Sequence, residues 1–325
     1  EVVMKNKIFK LFLILIMLIS FTGCGKEKNK ESVKEPAVEV NNNDALIWEV
    51  KSDTSTVYLV GSIHVANDDT YPLQQKILDA FEASVAIAVE VDVVAMQKDT
   101  ELMTEISNMM IYTDGSNLTN HISEDTLSKF NDYVAEYGIS MLSSEQIDLL
   151  YMYKPWVLYS LISNDMVEDA GFDSNSGIDI YFINKAKEKG MEVIEVESAK
   201  FQYDMLDNYS EELQEYLLKS LMTESREASI KELKDMLEIW ETGDELALEE
   251  LLAGETTNLT EEELALYNEY NQAMIINRNI AMADKVEELL TGDKDIFYMV
   301  GSAHMVGEDG IVKLLQDRGY TVIKK

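Results

Sequence analysis

Two copies of one short motif end in histidine. Residues 61–64 read GSIH and residues 301–304 read GSAH, so both follow the pattern Gly-Ser-x-His, the GSxH motif. The chain has three histidines, and two of them, His64 and His304, occupy the same place in the two copies. Each copy follows an apolar run typical of a strand and precedes a segment typical of a helix. This arrangement points to a site at the ends of two strands.

The residue types at these strand ends could bind a divalent metal. Glu90 directly follows another apolar run, so it is expected at the end of a third strand. The candidate ligands are then the imidazoles of His64 and His304 and the carboxylate of Glu90, with an open position for water. A metal there would lower the pKa of that water toward neutrality. Such a set suits Zn, Mn or Co. The motif glycines, Gly61 and Gly301, allow a sharp turn and leave room for a ligand.

Other interpretations of these residues compete with the metal site. A single buried histidine at a strand end is usually a hydrogen-bonded polar group, but two matched copies in a histidine-poor chain favour a shared site. Glu90 could instead be a helix-cap partner or a solvated loop acid. His121, which lies among polar residues, is expected to be a solvated residue near a helix start.

Three further charged residues are candidates for roles at the site. Arg278 lies on the inward-facing side of a predicted helix over 260–290, where an unpaired guanidinium would be costly. It could form a structural salt bridge, balance Glu90, or stabilise a developing oxyanion. Glu197 follows a predicted strand and could be a base, an orienting residue or a loop acid. Asp179 follows Gly177 and could cap a helix or serve the site.

The pattern of apolar residues predicts an α/β fold. Period and composition predict strands at 46–51, 56–60, 85–89, 192–196, 296–300 and 320–323, the first two as a hairpin. Helices are predicted at 72–83, 177–189, 260–290 and 309–318, and a Met-rich, mostly helical stretch runs from 94 to 173 with a break at 154–156. We expect a mixed central sheet with flanking helices and a large helical insertion at about 95–290. Sites in such sheets form beyond the carboxyl ends of strands.

The N-terminal segment resembles a lipoprotein signal. Lysines precede an apolar run over 11–21, and small residues then lead to Cys24, the only cysteine. This order resembles a bacterial lipobox, although Phe21 stands where a leucine is usual. We therefore expect a signal peptide over 1–23, lipidation of Cys24, a flexible tether over 24–44 and a folded domain over 45–325. The protein would be extracytoplasmic and anchored to the bacterial membrane by lipid alone.

Composition excludes several classes of protein. With 27 Lys+Arg against 61 Asp+Glu, the chain has a formal net charge of −34, so phosphate backbones would repel it and nucleic-acid binding is not expected. A single cysteine excludes a disulfide scaffold. The acidic charge would steer a cationic or neutral peptide better than an anionic one. Nothing in the sequence indicates the oligomeric state.

Several motifs, taken together, resemble the TraB/GumN family. They are the two GSxH segments, the triplet Glu90-Val91-Asp92, and Asp179, Glu197 and Arg278 with their neighbours. The resemblance extends from about residue 45 to 325. The family includes the TIKI metalloproteases, which depend on manganese or cobalt and use the GxxH histidines and a glutamate. It implies a fold similar to the erythromycin-esterase/ChaN-like class.

The resemblance implies a metal site at His64, Glu90 and His304 and favours a metal-dependent peptidase. Arg278 would steady the oxyanion and Glu197 would be a possible base. Because related proteins block or clear small secreted peptides, a non-catalytic lipoprotein that captures a peptide or small solute remains the alternative. A third hypothesis, which follows from the fold class alone, is a metal-free esterase with histidine as the base.

Overall fold

The computed structural model describes residues 41–325 except 141, 143 and 254–258. Within this part of the chain, six strands form one mixed sheet: β1 (Ile47–Lys51), β2 (Thr56–Ser62), β3 (Ala86–Val89), β4 (Glu192–Glu195), β5 (Ile296–Gly301) and β6 (Val322–Lys324). Their order across the sheet is β4-β3-β5-β2-β1-β6. The expected mixed central sheet is confirmed.

The centre of the sheet is parallel. β5 pairs in parallel with β2 on one side and β3 on the other, and β3 pairs in parallel with β4. All six residues of β5 are buried, which agrees with its continuous apolar sequence. β1 is antiparallel to both β2 and β6, so the predicted hairpin over 46–60 is confirmed.

Thirteen α-helices occur in the described residues. They are α1 (Gln75–Ala83), α2 (Val93–Met96), α3 (Thr100–Met109), α4 (Glu124–Tyr137), α5 (Pro155–Asp169), α6 (Ile178–Lys189), α7 (Ala199–Asp207), α8 (Glu211–Thr223), α9 (Arg226–Thr242), α10 (Glu245–Ala253), α11 (Glu261–Asn271), α12 (Asn277–Leu290) and α13 (Ile311–Asp317).

These helices divide between two hydrophobic clusters. Helices α1, α6, α9, α10, α12 and α13 pack with the sheet. Helices α3, α4, α7, α8 and α11 form a second cluster with most of α5, whose C-terminal Val167 reaches the sheet cluster. The segment 95–290 therefore contributes to both clusters, because α6, β4, α9 and α12 return to the sheet.

Several predicted boundaries are corrected. The helix expected from Pro72 begins only at Gln75. The break expected at 154–156 falls directly before α5, and Pro155 occupies the first turn of that helix, where its missing N–H costs nothing. The capping box at Thr260 and Glu263 is present. The helical run that follows it is interrupted by a π-helical segment at Gln272–Ile276, between α11 and α12.

The N-terminal predictions fall outside this description. The signal peptide over 1–23, Cys24 and the tether up to residue 40 lie outside the described residues. Among the described residues, no helix has the length and apolar character that a membrane span requires.

Candidate functional site

Three strand ends meet at the carboxyl edge of the sheet. β2 and β5 are neighbours in register, with Ser62 opposite Gly301, so the two GSxH motifs lie side by side. β3 lies on the other side of β5, and Glu90 follows its last residue. His304 belongs to a short 3-10 turn directly after β5. The topology therefore brings His64, Glu90 and His304 to one place.

The backbone of Gly301 lies at the centre of this group. A Cβ atom at Gly301 would be 3.3 Å from Glu90 Oε1, 3.5 Å from His64 Nε2 and 3.7 Å from His304 Cδ2. Glu90 Oε1 accepts a 2.7 Å hydrogen bond from the Gly301 N–H and lies 3.9 Å from His64 Nε2. The three side chains thus surround a small space that any side chain larger than hydrogen would fill.

Both histidines are held through Nδ1. His64 Nδ1 lies 2.9 Å from Asp179 Oδ2, and the other oxygen of Asp179 accepts a 2.9 Å hydrogen bond from Ser62. His304 Nδ1 lies 2.6 Å from Asn279 Oδ1. Because these oxygens only accept, each Nδ1 carries a proton and donates it. Histidine ligands to metals are usually oriented in this way, with Nε2 left for the ion.

The Nε2 atom of His304 has no hydrogen-bond partner. The residue is fully buried, and the imidazole is a neutral Nδ1–H tautomer, so Nε2 presents an unused lone pair. Cδ2, the carbon bonded to this nitrogen, is the His304 atom near Gly301. A buried acceptor without a donor is costly. A water molecule or a bound cation would each supply the partner that this lone pair needs.

Arg278 joins two carboxylates beneath the site. Its Nη2 donates to Glu90 Oε2 at 2.7 Å and to Glu197 Oε2 at 2.7 Å, and its Nε donates to Glu197 Oε1 at 2.9 Å. The remaining nitrogen, Nη1, donates to the carbonyl and the sulfur of Met274, at 3.4 and 3.2 Å. The guanidinium is 1% exposed. Of the roles considered for Arg278, this geometry supports charge balance, because the donors that an oxyanion would need are engaged.

Gln202 completes the network and was not singled out from the sequence. Its Nε2 donates to Glu90 Oε2 at 3.1 Å and to Glu197 Oε2 at 2.7 Å. The Glu197 side chain is only 5% exposed and is held by Arg278 and Gln202. An orienting role therefore fits Glu197 better than that of a base or a loop acid. The helix that carries Gln202, α7, was not among the predicted helices, so no sequence signal marked this residue.

The electrostatics fix the charge of each group. Burial raises the pKa of Glu90, but the positive charge of Arg278, then the two histidines and the Gly301 N–H, outweigh it and lower that pKa to about 2. Burial and then Arg278 lower the pKa of His304 to about 3, so this imidazole is neutral. Burial alone would lower the pKa of His64, but Asp179 and then Glu90 raise it to about 9.

The donor set fits a divalent cation in its chemistry. Among the described residues, no group of three or more His, Cys, Asp or Glu side chains is arranged so that it could hold a metal ion as the side chains stand. However, Glu90 Oε1, His64 Nε2 and His304 Cδ2 border the space at Gly301, and the unpartnered Nε2 of His304 is bonded to that Cδ2. A bound cation would replace the proton that His64 otherwise carries on this edge.

Two other candidates have definite positions. Asp179 is buried in the first turn of α6, and its carboxylate contacts Ser62 and His64 instead of capping its own helix. His121 lies just before α4, as expected, but it is only partly solvated, with 22% of its side chain exposed. Its ring stacks on Tyr112 with centroids 4.2 Å apart, and its Nδ1 lies 2.9 Å from Glu211 Oε1. A contact across 90 positions leaves no local signal in the sequence.

The fold and site define an α/β protein with a histidine–carboxylate site at the carboxyl edge of its sheet. A model of the TraB/PrgY/gumN family matches residues 46–324, so the chain belongs to this family. An uncharacterized protein of Treponema pallidum (strain Nichols) is 20% identical over 321 residues, covering 94% of this chain and 90% of the relative. The uncharacterized protein YbaP of Escherichia coli (strain K12) is 24% identical over 265 residues, covering 80% and 87%. No solved structure matches the chain significantly.

Proposed function

We propose that the protein is an extracytoplasmic metal-dependent hydrolase, a peptidase that acts on peptides or small secreted proteins. His64, Glu90 and His304 would hold the metal, which would be Mn, Co or Zn. The observation that carries this proposal is the buried, unpartnered Nε2 of His304 beside Glu90 and His64. A bound cation would supply the partner that this lone pair needs.

The residues of the chain have distinct parts in this proposal. A bound divalent cation would supply the positive charge that polarises a carbonyl and activates water. Asp179 and Asn279 keep the Nδ1 protons of the two histidines in place, so that both Nε2 atoms would be available to a cation. Arg278 and Gln202 hold Glu90 ionised and oriented. Glu197 balances the charge of Arg278 and is an orienting residue.

Metal content tests the proposal directly. The full chain is purified without chelators or affinity metal and measured by elemental mass spectrometry, together with His64→Ala and His304→Ala. The matched control is His121→Ala, since the third histidine of the chain contacts Glu211 and Ser116, away from the site. We expect near-stoichiometric Mn, Co or Zn in the parent and in the control, and loss in both site variants with unchanged circular dichroism.

The opposite result would favour the other class of protein. If the parent takes up no metal even after incubation with each ion, the hydrolase proposal fails. A non-catalytic lipoprotein that captures a peptide or small solute would then explain the site, and binding screens would follow. If the parent holds metal, hydrolysis of a mixed peptide library is the next measurement.

The proposal also includes the location and the fold family. Lipidation of Cys24 would anchor the acidic domain, which a negatively charged membrane surface would otherwise repel. Replacing Cys24 with serine should abolish incorporation of labelled palmitate into the protein; a variant that still carries the label would contradict the anchor. The proposed relation to the erythromycin-esterase/ChaN-like fold is supported by the parallel strand centre and the position of the site, and an experimental structure would test it.

A further inference from the structure

A groove of about 530 Å³ lies beside the second GSxH motif. Its walls come from α10, from α11 with the π-helical segment, and from the chain after β5 with α13. Ala303 and Met305, the neighbours of His304, line it. The groove therefore opens at the carboxyl edge of the sheet, where ligands bind in α/β proteins.

The groove is joined to the candidate site by covalent and hydrogen-bonded contacts. Asp309, in the groove wall, accepts a 2.7 Å hydrogen bond from Asn279 at its backbone carbonyl, and Asn279 orients His304. The π-helical segment places Ile275 in the groove wall and Met274 against Arg278. π-helical turns within α-helices occur frequently at functional sites.

The walls combine apolar surface with carboxylates. Leu252, Tyr267 and Val312 supply apolar area, while Glu249 and Glu308 come from two different walls. Glu249 Oε1 accepts a 3.2 Å hydrogen bond from the Gly307 N–H, which fixes the carboxylate at the groove.

One basic residue, Lys313, offsets the charge of these carboxylates only in part, through its attraction to Glu308. Lys313 also lines the groove, but its amine bonds to Asp317 on the next turn of α13. Among the charged residues of the lining, Glu245 already pairs with Lys324, at 3.3 Å. The remaining carboxylates therefore favour a cation.

We propose that this groove binds a lysine or arginine side chain of a peptide. The aliphatic stem would pack on Leu252 and Tyr267, and the charged head would lie between Glu249 and Glu308. Such a groove would select basic segments of the substrate. In naming a peptide as the ligand, the inference rests on the proposed function, but it concerns binding and does not need hydrolysis.

Peptide binding tests the groove. Two fluorescein-labelled decapeptides, one of alternating Leu and Lys and one of alternating Leu and Glu, are titrated with the full chain, with and without added Mn²⁺. Fluorescence anisotropy gives each Kd. The test variant carries Glu249→Gln with Glu308→Gln. The matched control carries Glu250→Gln with Glu262→Gln, which makes the same change of net charge at exposed positions outside the groove lining.

We expect the Leu/Lys peptide to bind at least tenfold more tightly than the Leu/Glu peptide. The groove variant should lose roughly threefold to tenfold in affinity for the Leu/Lys peptide, as expected for two partly exposed ion pairs, and the control less than twofold. Equal losses in both variants would assign the preference to overall charge, and no loss in either would also overturn the proposal. If binding depends on the groove but no peptide is cleaved and no metal is held, the groove stands and the hydrolase proposal fails.

Discussion

Glu90 is the residue on which the polar network of the site depends. One of its oxygens accepts from the Gly301 N–H and lies near His64, and the other accepts from Arg278 and Gln202. The carboxylate is therefore ionised and fixed before any ligand arrives. Such preorganisation is what a metal ligand or an electrostatic site requires.

Replacing Gly301 with alanine should remove the space for a metal while leaving the fold intact. The backbone of Gly301, at φ −50° and ψ 137°, is accessible to alanine. The new methyl group would lie 3.3 Å from Glu90 Oε1 and 3.5 Å from His64 Nε2, within the space a cation would use. We expect at least a tenfold lower Mn²⁺ affinity by calorimetry, with a change in melting temperature of only a few degrees. Unchanged affinity would contradict the position assigned to the metal.

Replacing Arg278 with methionine should destabilise the protein strongly. The change leaves the carboxylates of Glu90 and Glu197 buried without their cation, which typically costs about 3–5 kcal/mol. The control is Arg318→Met, because Arg318 is 26% exposed and its ion pairs should contribute about 1 kcal/mol or less. Urea unfolding gives both values. A loss for Arg278→Met no larger than that of the control would show that the network contributes little to stability.

Strand β5 is the element that unites the site. It separates β2 from β3, so its carboxyl end lies between the residues that follow its two neighbours. Helices α6 and α12 then supply Asp179 and Asn279, one to each histidine. The candidate ligands follow directly after strands, and their orienting partners lie on helices.

The two motif glycines should differ in what they contribute. A Cβ atom at Gly61 would lie 3.0 Å from both Cα and Cβ of Ser302 and 3.3 Å from Leu46 Cβ. Gly61→Ala should therefore force β2 away from the end of β5 and destabilise the fold by about 1–3 kcal/mol. Thermal and urea unfolding of Gly61→Ala beside Gly301→Ala would measure the contrast. Equal stability of the two variants would contradict it.

The molecule as a whole is strongly acidic. With a formal net charge of −34, the carboxylates of the folded chain repel one another. The same charge produces an electrostatic field that attracts cations to any groove near the site. The ion pairs at the surface are mostly exposed, so they offset this repulsion only in part. The same charge would favour basic peptides before contact and oppose attachment to anionic lipid.

Salt should raise the stability of the folded chain. Between 0.01 and 1 M NaCl the Debye length falls from about 30 to about 3 Å, which screens the repulsion among carboxylates. We expect the melting temperature to rise by several degrees over this range. Sucrose at matched osmolality is the control for general solvent effects. A constant or falling melting temperature in NaCl would indicate that repulsion does not limit stability.

Local patterns in the sequence were sufficient for the strands and the motif residues. Apolar runs identified β2, β3 and β5, and the residue type directly after each run identified His64, Glu90 and His304. These features depend on neighbours within a few positions, because burial and strand propensity act locally. The burial of Arg278 followed from helical spacing in the same way.

The tertiary structure alone decided which of these residues meet. Three features of the site depend on contacts between distant parts of the chain. β5 lies between β2 and β3, and Arg278 pairs with Glu90 and Glu197. Asn279 contacts Nδ1 of His304, which leaves Nε2 without a partner. Distant contacts of this kind are set by how two hydrophobic clusters and a sheet pack together, and a chain pattern of period two or 3.6 carries no information about them.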